Sequence, residues 1–252
     1  MTTTIDRPIA HTATRARAHD IWRIVRLHAL KPSVFAGVPL TILGGAWAVS
    51  LIVGVILRQA GGVGDIDGMR YSWAVLSPQW YLAVVGVQVV GLTFSFALGF
   101  GATRRDFWLG SSLVFVLASA AFAVLIATLV QVEIATSGWG LGVHMFDALW
   151  YGSDWWLDFY TTFALQCLVL FIGASVTTVY MRWRIRGIVI IAFAAIALVL
   201  AAVAIVTGTA SWPSVGAWFV GLSIAQVFSL ILAVAAFFAV AGYVVIRRAT
   251  PR

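Results

Sequence analysis

The side chains able to do chemistry are few and scattered. The 252 residues include one cysteine, four histidines, 9 acidic residues and 16 Lys plus Arg. Cys167 falls inside an apolar run, so neither an intrachain disulfide nor a Cys-based metal site is expected. The one lysine, Lys31, is followed by Pro32 with no glycine-rich loop before it. A phosphate-binding GxxxxGK[ST] loop is therefore missing, and the chain is not expected to hydrolyse ATP by itself. His11, His19, His28 and His144 lie outside the long apolar runs, which argues against intramembrane haem ligation and an HExxH zinc helix. No Asp, Glu, Lys, Arg or His falls deep inside those runs, so a proton relay lacks its carrier and an intramembrane serine nucleophile lacks its base. The sequence reads as non-enzymatic, with no catalytic residue, metal or cofactor.

Any element positioning the remaining polar residues must be a membrane span. The chain is 62% hydrophobic and 10% charged, whereas soluble domains carry roughly 25% charged residues. Six runs are long enough to cross about 30 Å of hydrocarbon: residues 34–57, 80–102, 107–132, 157–181, 187–207 and 222–246. The expected fold is an all-α integral membrane protein with six transmembrane helices. Residues 1–33 form an N-terminal tail and interfacial helix, 34–246 the membrane domain, and 247–252 a C-terminal tail. The first residues show no apolar core beside their basic positions and do not resemble a cleaved signal peptide.

Arginines give the orientation. With a cytoplasmic N-terminus, Arg7, Arg15, Arg17, Arg23, Arg26, Lys31, Arg104, Arg105, Arg182, Arg184, Arg186, Arg247, Arg248 and Arg252 lie inside, and only Arg58 and Arg70 outside. That asymmetry places both termini in the cytoplasm and the chain in the cell membrane as a multi-pass protein. The net charge of +7 is explained by loops facing anionic lipid, with no nucleic-acid partner. Eight of the twelve tryptophans fall near the outer boundary and three near the inner one, leaving Trp47 mid-span, as interface anchors would. Before the first span, HDIWRIVRLHALKPSVF alternates apolar and basic residues in the manner of an amphipathic helix in the inner interface, broken by Pro32.

Polar residues inside the spans are modest. Gln88, Thr93, Ser95 and Gln226 are candidates for a substrate pathway, although interhelical hydrogen bonding is the favoured reading of such residues. Gly91, Ser95 and Gly99 follow a small-xxx-small spacing that allows close helix approach, as at a dimer interface. Glu133 stands at the outer, C-terminal end of the third span, the unfavourable pole of the helix dipole for an anion. Arg58, Arg70 or His144 could pair with it. It is the candidate outer gate, set against a solvated loop position.

The run GFGATRRDFW concentrates charge between two apolar stretches. Gly99 and Gly101 suit a tight turn, Thr103 can cap the helix that follows, and Asp106 suits that helix's N-terminal pole. A capped inner turn accounts for each residue type. In addition, FSFALGFGATRRDFWLGSSLVF, LVQVEIATSGWGLGVHMF, HDIWRIVRLHALKPSVFAGVPL and VYMRWRIRG resemble membrane subunits of actinobacterial ABC transporters in the ABC-2 type permease class. The resemblance is firmest over residues 94–146. It implies a permease, in an exporter, that forms a homodimer or a heterodimer with a homologous permease. It also implies a separate ATP-binding subunit docked on the cytoplasmic face and driving alternating access. Carried onto this sequence, Thr103, Arg104, Arg105 and Asp106 form the ATPase-coupling turn, flanked by Trp22, Arg23 and Arg26. The loop at 208–221 is short for the outer helical hairpin of larger relatives. The alternative is a non-transporting membrane binding or scaffold protein, for example a solute-binding component of a vitamin importer.

Overall fold

The computed structural model describes residues 21–28, 33–61 and 67–248. The tail at 1–20, Lys31, the break assigned to Pro32, Asp65 and the end at 249–252 lie outside the described residues. The described part is helical, with no strand.

Helix α1 covers residues 21–28, and a wide turn at Ser33–Gly37 leads into α2, Val38–Gln59. Helix α3 is Ser77–Gly99 and α4 is Arg104–Ala135. Proline in the first turn starts both α2 and α3, where its missing N–H would have had no intrahelical partner. An irregular segment separates α4 from the 54-residue stretch Trp155–Gly208. Straight, that stretch would run about 80 Å, far beyond one bilayer crossing. It breaks at Arg184, where φ is 57° and ψ −155°, so residues before the break are α5 and those after it α6. A straight helix would hold Ile172 and Ala195 about 35 Å apart, yet both line one hollow of about 480 Å³. The chain therefore doubles back at Arg184. Short helix α7, Trp212–Val220, connects to α8, Ile224–Ile246.

Five stretches are long and apolar enough to cross a membrane: Ser33–Gln59, Gly68–Gly99, Arg104–Ala135, Trp155–Gly208 and Ile224–Ile246. The chain thus has the make-up of a helical membrane protein. Two of the sequence's six runs, 157–181 and 187–207, share the broken fourth stretch, because MRWRIRG offers neither a proline nor a polar loop long enough to unwind the backbone.

Side-chain pairs fix the helix directions. Gln131 meets Asp158 and Thr128 meets Trp155, so α5 starts beside the end of α4. Tyr160 meets Ser229 and Ser175 meets the Phe238 carbonyl, so α5 and α8 run parallel. Helices α3 and α5 are also parallel and unusually close. A Cβ on Gly86 would lie 2.5 Å from the Leu170 carbonyl oxygen, and one on Gly173 would lie 2.4 Å from that of Ala83. Close approach is thus built on Gly86 and Gly173. The small-xxx-small row contributes no such contact: Gly91 would meet only a Thr177 methyl at 3.6 Å, and Gly99 has nothing within 4 Å.

The core divides into two clusters. Phe94, Phe107, Phe115 and Leu170 anchor the half nearer the Arg104 turn. Leu43, Val130, Met145 and Phe146 anchor the opposite half. Tertiary packing lets helices with all-round hydrophobicity settle into place, since in hydrocarbon apolarity alone does not choose a face.

Candidate functional site: the arginine turn and the opposite cap

At the turn between α3 and α4, hydrogen bonding is reciprocal. The Asp106 backbone N–H donates to Thr103 Oγ1 at 3.1 Å, and the Thr103 hydroxyl donates to Asp106 Oδ2 at 2.5 Å. Asp106 is buried, while Thr103 and Arg105 are exposed and Arg104 is half-buried. Arg104 Nη1 donates to the Arg247 carbonyl at 3.1 Å, tying the turn to the end of α8. One turn onward, Trp108 is buried and its indole N–H donates to the Ala239 carbonyl at 3.1 Å. The turn is thus locked to α4 by its cap and to α8 by two bonds to backbone.

Helix α1 lies against the first turns of α4. A Cβ on Gly110 would come within 2.6 Å of Ile24, so glycine is what admits the helix. Ile24 and His28 are buried, and Trp22, Arg23 and Arg26 face outward. This is the amphipathic division expected of the segment. His28 Nε2 lies 3.0 Å from Ser111 Oγ, with Phe35 and Phe107 edge-on to the ring. Burial lowers its pKa to about 4, because charging the imidazole there would cost its hydration. Arg23, Leu27, Phe100 and Ala102 share the lining of a hollow of about 250 Å³ between α1 and the turn. Helix α1, which carries Trp22, Arg23 and Arg26, is thereby seated on α4 near the turn of Thr103, Arg104, Arg105 and Asp106, and Arg23 lines the same hollow as Ala102.

The four substrate-pathway candidates do not converge. Gln88 and Ser95 lie exposed on α3. Thr93 donates to the Val89 carbonyl of its own helix. Gln226 accepts from the Ser223 N–H at 2.8 Å and donates its own N–H to Ser223 Oγ, closing a capping box at the start of α8. None of them lines any hollow described here.

Glu133 is 1% exposed. Its Oε1 accepts from the backbone N–H groups of Met145, Phe146 and Asp147 at 2.8–2.9 Å, and its Oε2 accepts from the Trp139 indole at 2.7 Å. Arg58, Arg70 and His144 are not its hydrogen-bond partners. Arg70 and His144 instead approach Asp147 Oδ2, at 3.2 and 3.4 Å. The Leu149 N–H donates to the Arg70 carbonyl at 2.7 Å. A hollow of about 300 Å³ lies beside this group, lined by Arg70, Glu133, His144 and Asp147. Asp158, at the start of the fourth apolar run, is wholly buried and accepts from Gly152 N–H at 3.1 Å and Gln131 Nε2 at 3.4 Å. Nearby, Thr162 donates to the Tyr151 hydroxyl at 3.0 Å, and burial pushes that phenol up to about 12. The segment 138–152 is in this way tied down as a cap over the helix ends. An acid just inside an apolar run was the only signal of Asp158 in the sequence; the Glu133 amide cradle left none, since backbone N–H groups carry no residue identity.

Among the described residues, no three of His, Cys, Asp and Glu come together to hold a metal ion. No family model matches the chain, and no curated protein or solved structure matches it either.

Proposed function

We propose that the chain is the membrane subunit of an ATP-driven transporter of the ABC-2 type, working as an exporter in the cell membrane. In this reading it crosses the bilayer six times, with α5 and α6 as separate crossings and both termini in the cytoplasm. It pairs with a second copy or a homologous permease, and a separate ATP-binding subunit docks on the arginine face.

One observation carries the reading: the Thr103–Asp106 turn is short, capped and bonded to α8, and α1 seats Arg23 against the residues that lead into it. A turn joined so stiffly to two long helices transmits a displacement instead of absorbing it as local flexing. Movement of a docked ATPase would then shift α3, α4 and α8 together, which is the requirement for alternating access. At the opposite end an outer gate would be the 138–152 cap, with Glu133 as its latch.

The test is purification and coupling. The tagged chain, solubilised mildly from its native membrane, is expected to bring an ATPase subunit in stoichiometric amount. Replacing both Arg104 and Arg105 with Ala is expected to leave insertion intact while uncoupling ATP hydrolysis from transport. Absence of any ATPase partner, or full coupling in the double variant, would overturn the assignment.

A further inference from the structure

Helix α6 hardly touches the rest of the protein. From Val189 to Ile205 every residue is exposed, including Ile190, Phe193, Leu198 and Leu200 at 62–73%. Where it begins beside α5 and α8, the three helices flank a hollow of about 480 Å³, open at its side, in place of interdigitated side chains. That volume lies within the range of small-molecule sites, and an apolar hollow open to the bilayer takes up acyl chain and not water, which would find no polar partners on its walls.

The walls are apolar, among them Val179, Trp183, Ile188, Ala195 and Val245. The two hydroxyls there, Ser175 and Thr178, donate to the carbonyls of Phe238 and Ser175 at 2.6 and 2.7 Å. The hollow offers a ligand only hydrocarbon.

The turn that adjoins it is cationic: Trp183, between Arg182 and Arg184, is part of the lining. Arg182, Arg184 and Arg186 form the turn, with Arg182 4.3 Å over the Trp183 ring and Arg184 5.8 Å from that of Tyr180. Arg247 and Arg248 follow the end of α8, two and three residues beyond Val245 of the same lining. The chain has no acidic residue after Asp158, so neither segment carries its own counter-charge. Arg184 also holds a left-handed backbone conformation suited to glycine. Keeping a guanidinium at a hinge where glycine is favoured points to use of the side chain.

We propose that this hollow binds an anionic phospholipid of the leaflet beside the arginine turn. One acyl chain enters between α5, α6 and α8, and the headgroup phosphate is held by Arg182, Arg184 and Arg186. Basic pockets between spans recognise anionic headgroups on this principle. The site depends on the chain's spanning the membrane and not on its being a transporter.

The full chain is reconstituted in nanodiscs of equal phosphatidylglycerol and phosphatidylcholine, with either lipid in turn carrying a photoactivatable diazirine on its acyl chain. After irradiation, mass spectrometry maps the adducts. The phosphatidylglycerol probe is expected to label residues 188–195 and 237–245 about tenfold more than the phosphatidylcholine probe. The triple variant Arg182→Gln, Arg184→Gln, Arg186→Gln is expected to equalise the two. Raising the salt to about 1 M should shrink the preference of the unaltered protein, since the charges of the turn are screened, and this arm serves if the variant fails to fold. Equal labelling by both probes, or a preference indifferent to salt, would overturn the proposal.

Discussion

A carboxylate that accepts four hydrogen bonds in a nearly closed site can be replaced only at a cost set by the donors it leaves behind. Glu133→Ala strands three backbone N–H groups and the Trp139 indole. Each buried donor left unpaired costs about 1–3 kcal/mol, so we expect a loss of about 3 kcal/mol once water entering the adjacent hollow has satisfied part of the set. Thermal unfolding in detergent and protease nicking within 138–152 report it. Glu133→Gln retains one oxygen for the three amides and loses the indole contact, so it should fall between wild type and the alanine variant. Equal stability for all three proteins would remove Glu133 as the anchor of the cap. The position was visible in the sequence as an acid at the wrong pole of a helix. Its partners were not, because the residues that satisfy it contribute main-chain groups.

Helix α1 docks through a group that responds to mild acid. His28 folds with its pKa lowered from 6.5 to about 4, so its contribution is complete above pH 6.5 and is lost as pH falls towards 4, when the undocked imidazole takes up a proton that the docked one refuses. At pH 5 the docking of α1 should be weaker by about 2 kcal/mol than at pH 8. Hydrogen exchange over residues 21–28, corrected for intrinsic rates, measures this. His28→Phe should flatten the dependence, and a wild-type helix equally protected at both pH values would contradict the buried, neutral imidazole. The amphipathic pattern of α1 was legible from the alternation of Ile24 and Leu27 with Arg23 and Arg26. Its seat was not, since it depends on Gly110 in a helix some eighty positions away making room for Ile24.

Over the whole molecule, helix directions gather Arg23, Arg26, Arg104, Arg105, Arg182, Arg184, Arg186, Arg247 and Arg248 at one end, with Arg70, Asp147 and the 138–152 cap at the other. If the first end is cytoplasmic, a cysteine placed by Arg105→Cys should resist a membrane-impermeant thiol reagent on intact cells and react after permeabilisation. Tyr71→Cys, at a side chain 79% exposed, should react on intact cells, and the native Cys167 is buried and gives little background. Reversed labelling would invert the topology and with it the face offered to any ATPase.

The apolar runs by themselves determined that the chain has the make-up of a helical membrane protein and where most helices fall, because about twenty apolar residues in sequence leave a chain few options other than a span. Thr103 and Asp106 were equally legible, since a cap is a local contact between residues three apart. Only the tertiary structure decided that α5 and α6 meet at Arg184 without a loop, that Gly86 and Gly173 bring α3 onto α5, and that Glu133 faces inward. Each of these depends on which atoms of a distant segment arrive at a given face, and in a uniformly apolar chain hydrophobicity ranks the faces too weakly to foretell it.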